Sequence, residues 1–398
     1  MEPTGQAGRR CPPQREQSYT RRVDLDLVFL GTSGSVPTAR RGPAALLVRR
    51  GGERILVDCG EGTQRQLLRS SVGLVELTDV LLTHYHADHY LGLPGMLKTF
   101  ALRGREAPMT VYGPPGLRDL FGSLRRIFGK LTFELRLEEV QPGEALERGE
   151  YRIVPFKVDH GVPAQGYALV EDPRPGRFDV GSATALGVPE GPLFGALQRG
   201  EAVDLAVGST VRPEQVLGPA RPGRKVVISG DTRPARTVLE AANEADVLVH
   251  DATFSEDERT RAEETGHSTA AQAAELARIA AARMLVLTHL SNRYFGPEIV
   301  REARALFAET VVPKDFDIID VRFPERGGPR LVKGGALGRG EEVETHGGHG
   351  AGGGRERPDG GGGDPDDPAL RGDPVGAHAG GDPSPESARG RAAEGARP

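Results

Sequence analysis

The stretch LLTHYHADHYLGLPG, residues 81–95, places His84, His86, Asp88 and His89 within six positions at the end of a short apolar run. Imidazole and carboxylate together suit Zn²⁺ and its neighbours, and a single loop supplying several ligands loses less chain entropy when a metal binds. A lone histidine is more often a packed or solvated side chain, but an HxHxDH cluster at a strand end points to a metal site. Of the ten histidines, three (His346, His349, His378) fall near the C-terminus, and His160, His250, His267 and His289 join the first three in the body. Four apolar runs lead into a candidate ligand: VLLT into His84, FKVD into His160, VVISG into Asp231 and LVLT into His289. Strands that end on the same side can bring such residues to one sheet edge. Seven candidates, His84, His86, Asp88, His89, His160, Asp231 and His289, are too many for one tetrahedral ion and suit two ions that share a carboxylate.

The elements that must position them form a mixed α/β body. Strand-like runs occupy 24–30, 44–48, 54–58, 79–83, 110–113, 151–158, 225–229, 246–250 and 283–288. Helices are expected at 62–69, at 268–283 with a Ser268 N-cap, and at 297–309 with Pro297 in its first turn, and GLPG at 92–95 opens another. The segment 171–222 is Pro- and Gly-rich, lies between two strong strands, and reads as an arm inserted into the body. GTSG at 31–34 and DCGEG at 58–62 lack the spacing of a nucleotide loop and read as turns that bring backbone close to the metal edge.

With these residues in view, the chain resembles the metallo-β-lactamase superfamily, and within it the ribonuclease Z branch. The resemblance spans about residues 26–320. It rests on FLGTSGSVP (29–37), VDCGEGTQRQ (57–66), the ligand loop, TVYGPPG (110–116), DHGVPAQGY (159–167), SGDTR (229–233), HDATF (250–254), GHST (266–269) and LTHLSNRY (287–294). It implies an αβ/βα sandwich with the metals at the edge between two sheets. It further implies one zinc ion on His84, His86 and His160, a second on Asp88, His89 and His289, and Asp231 bridging them. Asp88 would also orient or deprotonate the attacking water. His267 would give a proton to the leaving oxygen, polarised by Asp251, which stands where many relatives carry a glutamate. The implied reaction is two-metal hydrolysis of precursor tRNA near the discriminator base, by a homodimer in which the arm of one subunit grips tRNA cut by the other.

GVPEGPLFGALQRGEAV, 187–203, resembles the tRNA-gripping arm, with a Gly191–Pro192 turn and a basic Arg199. Other basic residues of the arm include Arg174, Arg177 and Arg212. In the loop PTARRG, 37–42, Ala39 and Gly42 stand where several relatives of this branch have Lys and Asn, while Arg40 and Arg41 remain to contact phosphate. His250 has no metal role in this scheme and reads as a packing or supporting residue.

Composition sets the limits around this body. Residues 338–398 hold 18 Gly and 7 Pro in 61 positions, without an aromatic residue, so a disordered tail is expected at 336–398, with a disordered leader at 1–22 and a nuclease domain at 23–335. Residues 338–398 carry 7 Arg against 12 acidic residues, which leaves the other 337 residues with 44 basic and 44 acidic side chains and no net charge. Global charge therefore says nothing about an RNA partner, and phosphate contacts must be local. There is no apolar run of membrane-spanning length and no secretory signal, so the expected compartment is the cytoplasm. Cys11 and Cys59 read as free thiols. Two other readings stay open on the residues alone: another dinuclear hydrolase of this fold, acting on a small phosphodiester or a lactone, and a metal-bound regulatory protein without turnover.

Overall fold

A computed structural model describes residues 23–334 apart from 75, 76 and 207. The expected leader, the whole of the expected tail and Cys11 lie outside the described residues. Strands β1 (Leu25–Gly31), β2 (Ala45–Arg50), β3 (Glu53–Val57), β4 (Asp79–Leu81), β5 (Met109–Gly113) and β6 (Leu135–Glu139) form most of one sheet. A second sheet begins with β7 (Leu146–Glu147), β8 (Tyr151–Lys157) and β9 (Gln165–Glu171). After a small separate hairpin of β10 (Val203–Asp204) and β11 (Thr210–Val211), the second sheet is completed by β12 (Lys225–Ile228), β13 (Val247–Asp251), β14 (Leu285–Thr288) and β15 (Thr310–Val311). The chain then returns to the first sheet with β16 (Ile318–Asp320) and β17 (Arg330–Val332), and β16 pairs antiparallel with β1.

The apolar runs are continuous because both faces of these strands are covered. Leu25, Leu27 and Phe29 of β1 face Tyr167, Ile228, Val249 and Val286 in a core between the sheets. The alternate residues Val28 and Leu30 pack outward on Leu67, Leu93, Leu97 and Phe121 of the helices Thr63–Arg69, Gly92–Leu102 and Leu117–Phe128. The second sheet is covered likewise by Arg236–Ala242, Ala270–Ile279 and Gly296–Arg304, where Ala270, Ala273, Ala274 and Ala277 let the middle helix approach closely. The result is the expected sandwich of helices, two sheets and helices. Truncating one inter-sheet side chain such as Leu27 to Ala costs about 2–5 kcal/mol at sites of this kind.

The helix ends differ from expectation in one instructive place. Thr269, not Ser268, caps Ala270–Ile279, through a capping box in which its side chain accepts from the Gln272 N–H and the Gln272 side chain accepts from the Thr269 N–H. Ser268 instead donates to the Thr232 carbonyl at 2.6 Å. Residues 172–222, which read as loop, contain the helices Val180–Ala185 and Pro192–Gln198 and the β10–β11 hairpin around a small core of Ala183, Val188, Leu197, Val203, Val211 and Val216. Asp179 caps the first of these helices by accepting from the Ser182 N–H.

Candidate metal centre

His84, His86, Asp88 and His89 follow β4, His160 follows β8, Asp231 follows β12 and His289 follows β14. The structure gathers their side chains at one edge between the sheets. Donor atoms of His84, His86 and His160 lie mutually within 4.8 Å, and so do those of Asp88, His89 and His289. His86 Nδ1 stands 3.0 Å from both His84 Nε2 and His160 Nε2. Between the two groups, the Asp231 Oδ2 oxygen is 3.8 Å from His84 Nε2 and His160 Nε2, 3.4 Å from His89 Nε2 and 3.3 Å from His289 Nε2. One carboxylate oxygen thus faces both trios. His89 Nε2 is buried, has no hydrogen-bond partner among the described residues and is aimed at Asp88 and Asp231, as expected of a nitrogen that serves a cation. These residues fit a pair of divalent ions.

The protein holds the Nδ1 of His84, His89, His160, His267 and His289, which sets tautomer and ring orientation. His160 Nδ1–H donates to the Gly266 carbonyl at 2.7 Å. Asp58 accepts from His89 Nδ1–H at 2.8 Å and from the Thr83 hydroxyl, and that hydroxyl in turn accepts from His84 Nδ1–H at 3.0 Å. Asp251 accepts from His267 Nδ1–H at 2.8 Å and from the Thr253 hydroxyl at 2.7 Å, and Thr253 accepts from His289 Nδ1–H at 2.8 Å. The Asp58 and Thr83 pair was invisible to spacing arguments, since DCGEG read as a turn. The signal was the threonine directly before the first histidine of the cluster.

Electrostatics follow this wiring. Burial, reinforced by neighbouring His89, pushes His84 well below its usual value, and burial lowers His160 too, which favours the neutral ligand form. Burial would raise the Asp88 carboxyl, but its hydrogen bond with His289 and the nearby His89 outweigh it and hold the group below the usual carboxylate range. Burial works against charge on His267, yet the Asp251 carboxylate dominates and lifts it to about 9. His267 Nδ1 also lies 3.9 Å from Asp231, but its proton is committed to Asp251, so this nitrogen is not a ligand donor. His250 is fully buried on the helix-covered face of β13, with Nδ1–H donating to the Asp251 carbonyl at 2.8 Å.

The loop after β1 closes one side. Its Ser35 N–H donates to Asp88 Oδ2 at 2.9 Å, and a Cβ on Gly34 would lie 2.6 Å from the His289 carbonyl oxygen, so only glycine allows this approach. Asp315 anchors the loop by accepting from the Gly42 N–H, the Thr32 hydroxyl and the Gln66 amide, and its burial lifts it to about 6. Arg41 is turned inward, donating to Thr32 Oγ1 at 2.6 Å and the Pro313 carbonyl at 2.8 Å, whereas Arg40 is exposed. Gly191, Pro192 and Arg199 belong to the arm and not to this cluster. Gly191 has φ +133°, Pro192 opens Pro192–Gln198, and Arg199 pairs with Glu201 at 2.9 Å.

Comparison with known proteins agrees with this arrangement. Residues 39–289 match the family model of the metallo-beta-lactamase superfamily. A ribonuclease Z of Myxococcus xanthus is 51% identical over 305 residues, covering 76% of this chain and 99% of that protein. A ribonuclease Z of Methanosarcina acetivorans is 45% identical over 303 residues, covering 75% of this chain and 99% of that protein. The crystal structure of human tRNase Z, short form, superposes with a TM-score of 0.55 at 28% identity, over 75% of this chain and all of that one. With relatives matched over almost their whole length and the ligand-bearing strand ends inside the matched region, the chain belongs to the ribonuclease Z family of the metallo-beta-lactamase superfamily.

Proposed function

We propose that the protein is a zinc-dependent endoribonuclease that removes the 3′ trailer from precursor tRNA, cutting near the discriminator base to leave a 3′-hydroxyl on the tRNA and a 5′-phosphate on the trailer. The observation that carries this reading is the pair of donor trios facing one oxygen of Asp231, in a chain of the ribonuclease Z family. His84, His86 and His160 are assigned to one zinc ion, Asp88, His89 and His289 to the other, and Asp231 to both. Two ions held by these residues would polarise the scissile phosphodiester and would supply a nucleophilic water at neutral pH. Asp88, ionised and oriented by the Ser35 N–H, positions that water and accepts its proton. His267 is protonated at neutral pH, and Asp251 occupies its Nδ1–H, so Nε2–H is the donor to the departing tRNA 3′-oxygen. The water oxygen stays on the trailer phosphate and the His267 proton on the tRNA.

The arm, taken as 171–222 within a domain of residues 23–335, is assigned to holding tRNA away from the cut, with Gly191, Pro192 and Arg199 at its contact surface. Arg40 is the free basic residue of the loop beside Asp88, Arg41 being held to the body. The enzyme is assigned to the cytoplasm and to a homodimer in which each arm serves the partner's site. Among the described residues no helix is long and apolar enough to cross a membrane.

The test is cleavage of a 3′-extended precursor tRNA by the purified protein, with and without chelator and with Asp88→Ala, mapping both product ends. One metal-dependent cut beside the discriminator, lost in the variant, is expected. Hydrolysis of a nitrophenyl phosphodiester without any cut in the tRNA would move the protein to the small-substrate hydrolases of the same fold.

A further inference from the structure

The arm leaves the second sheet after Glu171 and rejoins it before Lys225, and its root is tied to the body more firmly than an insertion requires. Glu171 is buried and accepts from Arg224 at 2.7 Å and from Arg50 at 2.9 Å. One step outward, Arg174 and Arg221 exchange backbone hydrogen bonds of 2.7 and 2.9 Å, so the two limbs run side by side. A Cβ on Gly176 would fall 1.9 Å from the Gly218 carbonyl oxygen, which shows how closely those limbs press together. Both outer arginines reach Glu325, which lies far along the chain in the short turn Pro324–Arg326 after β16, Arg174 at 2.8 Å and Arg221 at 3.1 Å. The guanidinium carbons of Arg174 and Arg224 stand 3.4 and 4.4 Å from the centroid of the Phe323 ring.

We propose that Phe323 and Glu325 form a clasp that sets the direction in which the arm projects, making them positioning residues for the tRNA substrate. An arm inserted in the second sheet is thereby registered against the first sheet, whose trailing segment carries the clasp. A single exposed ion pair stabilises little. Here one carboxylate holds two arginines, one from each limb, and an aromatic ring holds a guanidinium from the arm and one from the body, so swinging the arm breaks several contacts at once. The two limbs supply Arg174 and Arg221, whose side chains are thereby turned to the body and not to RNA. This inference rests on the assignment of the arm to tRNA binding.

The test compares Glu325→Ala, Phe323→Ala and a deletion of residues 175–220 closed by a short Gly-Ser bridge. Each is assayed for KM and kcat on precursor tRNA, for hydrolysis of a nitrophenyl phosphodiester, and, in the undeleted forms, for the spread of distances between a spin label near Gly191 and one on the body. The clasp variants are expected to raise KM about fivefold with kcat and small-substrate hydrolysis unchanged, and to broaden the distance distribution. Glu325→Gln and Phe323→Leu, checked by thermal unfolding, decide the matter if an alanine variant does not fold. A deletion that raises KM beside clasp variants with unchanged KM and an unchanged distribution overturns the clasp alone. A deletion that leaves KM unchanged overturns the arm assignment, and the clasp with it.

Discussion

Asp58 with Thr83 in the first sheet and Asp251 with Thr253 in the second are built alike. Each buried carboxylate takes one imidazole Nδ1–H directly and a second through the threonine hydroxyl. The difference lies in where the other nitrogens go. Asp58 and Thr83 orient His89 and His84, which both belong to donor trios, one in each. Asp251 and Thr253 orient one trio member, His289, and one histidine outside the trios, His267. The same device that orients a candidate ligand therefore, one sheet away, raises the pKa of His267, the imidazole proposed as the proton donor.

The sharpest way to break the comparison is to remove what both halves share. Asp231→Ala should reduce turnover more than about a thousandfold, and metal analysis of the purified variant should find well below two ions per chain. The next test separates the halves. Asp58→Asn should weaken metal affinity by about 10–100-fold, with activity recovering as zinc is added. Asp251→Asn should lower kcat by about 10²–10⁴ with no recovery at any zinc concentration. Equal rescue of both variants by metal would mean that His267 has no separate role.

A pH profile sharpens the distinction. His267 stands at about 9, above its usual value, so its proton is present at neutral pH and is lost as pH rises through that value. The kcat profile should fall on the alkaline side near pH 9, and in Asp251→Asn the fall should begin at lower pH because the charge that raised it is gone. Stability moves in the same sense, as a pKa raised by folding contributes fully below the unfolded value near 6.5 and is lost through pH 9. The smallest effects belong to the hydroxyls. Thr83→Val and Thr253→Val should each cost about 1 kcal/mol in unfolding titrations, and only Thr253→Val should also disturb the alkaline limb.

The candidate ligands were legible in sequence because the fold delivers them in one way, as polar residues that begin within three positions of the C-terminal ends of β4, β8, β12 and β14. Leu285–Leu287 before His289 and Val226–Ile228 before Asp231 are apolar on both faces because helices cover one face of the sheet and the other sheet covers the other. The supporting residues were not legible in the same way. Asp58 meets Thr83 and His89 across 25 and 31 positions, and Asp315 meets Thr32 across 283, so no local pattern joins them. Arg41 looked like a phosphate contact because charge in a loop reads as solvent-facing, whereas its side chain stitches that loop to Pro313. The arm hid its own small core because Val188, Leu197 and Val211 are scattered among glycines and prolines with no period to reveal them.

The return of the chain to the first sheet has a consequence for how the enzyme is made. As the polypeptide leaves the ribosome, β1 to β6 emerge with His84, His86, Asp88 and His89, yet β1 still lacks the edge partner β16, which lies after every other ligand in the sequence. His289, the last candidate ligand, precedes Asp315, which anchors the loop that touches Asp88. The two halves of the centre are thus synthesised far apart in time, and the segment that locks them together is translated last. A message truncated before Asp315 therefore yields a chain that carries all seven candidate ligands but lacks the carboxylate that anchors the loop beside Asp88.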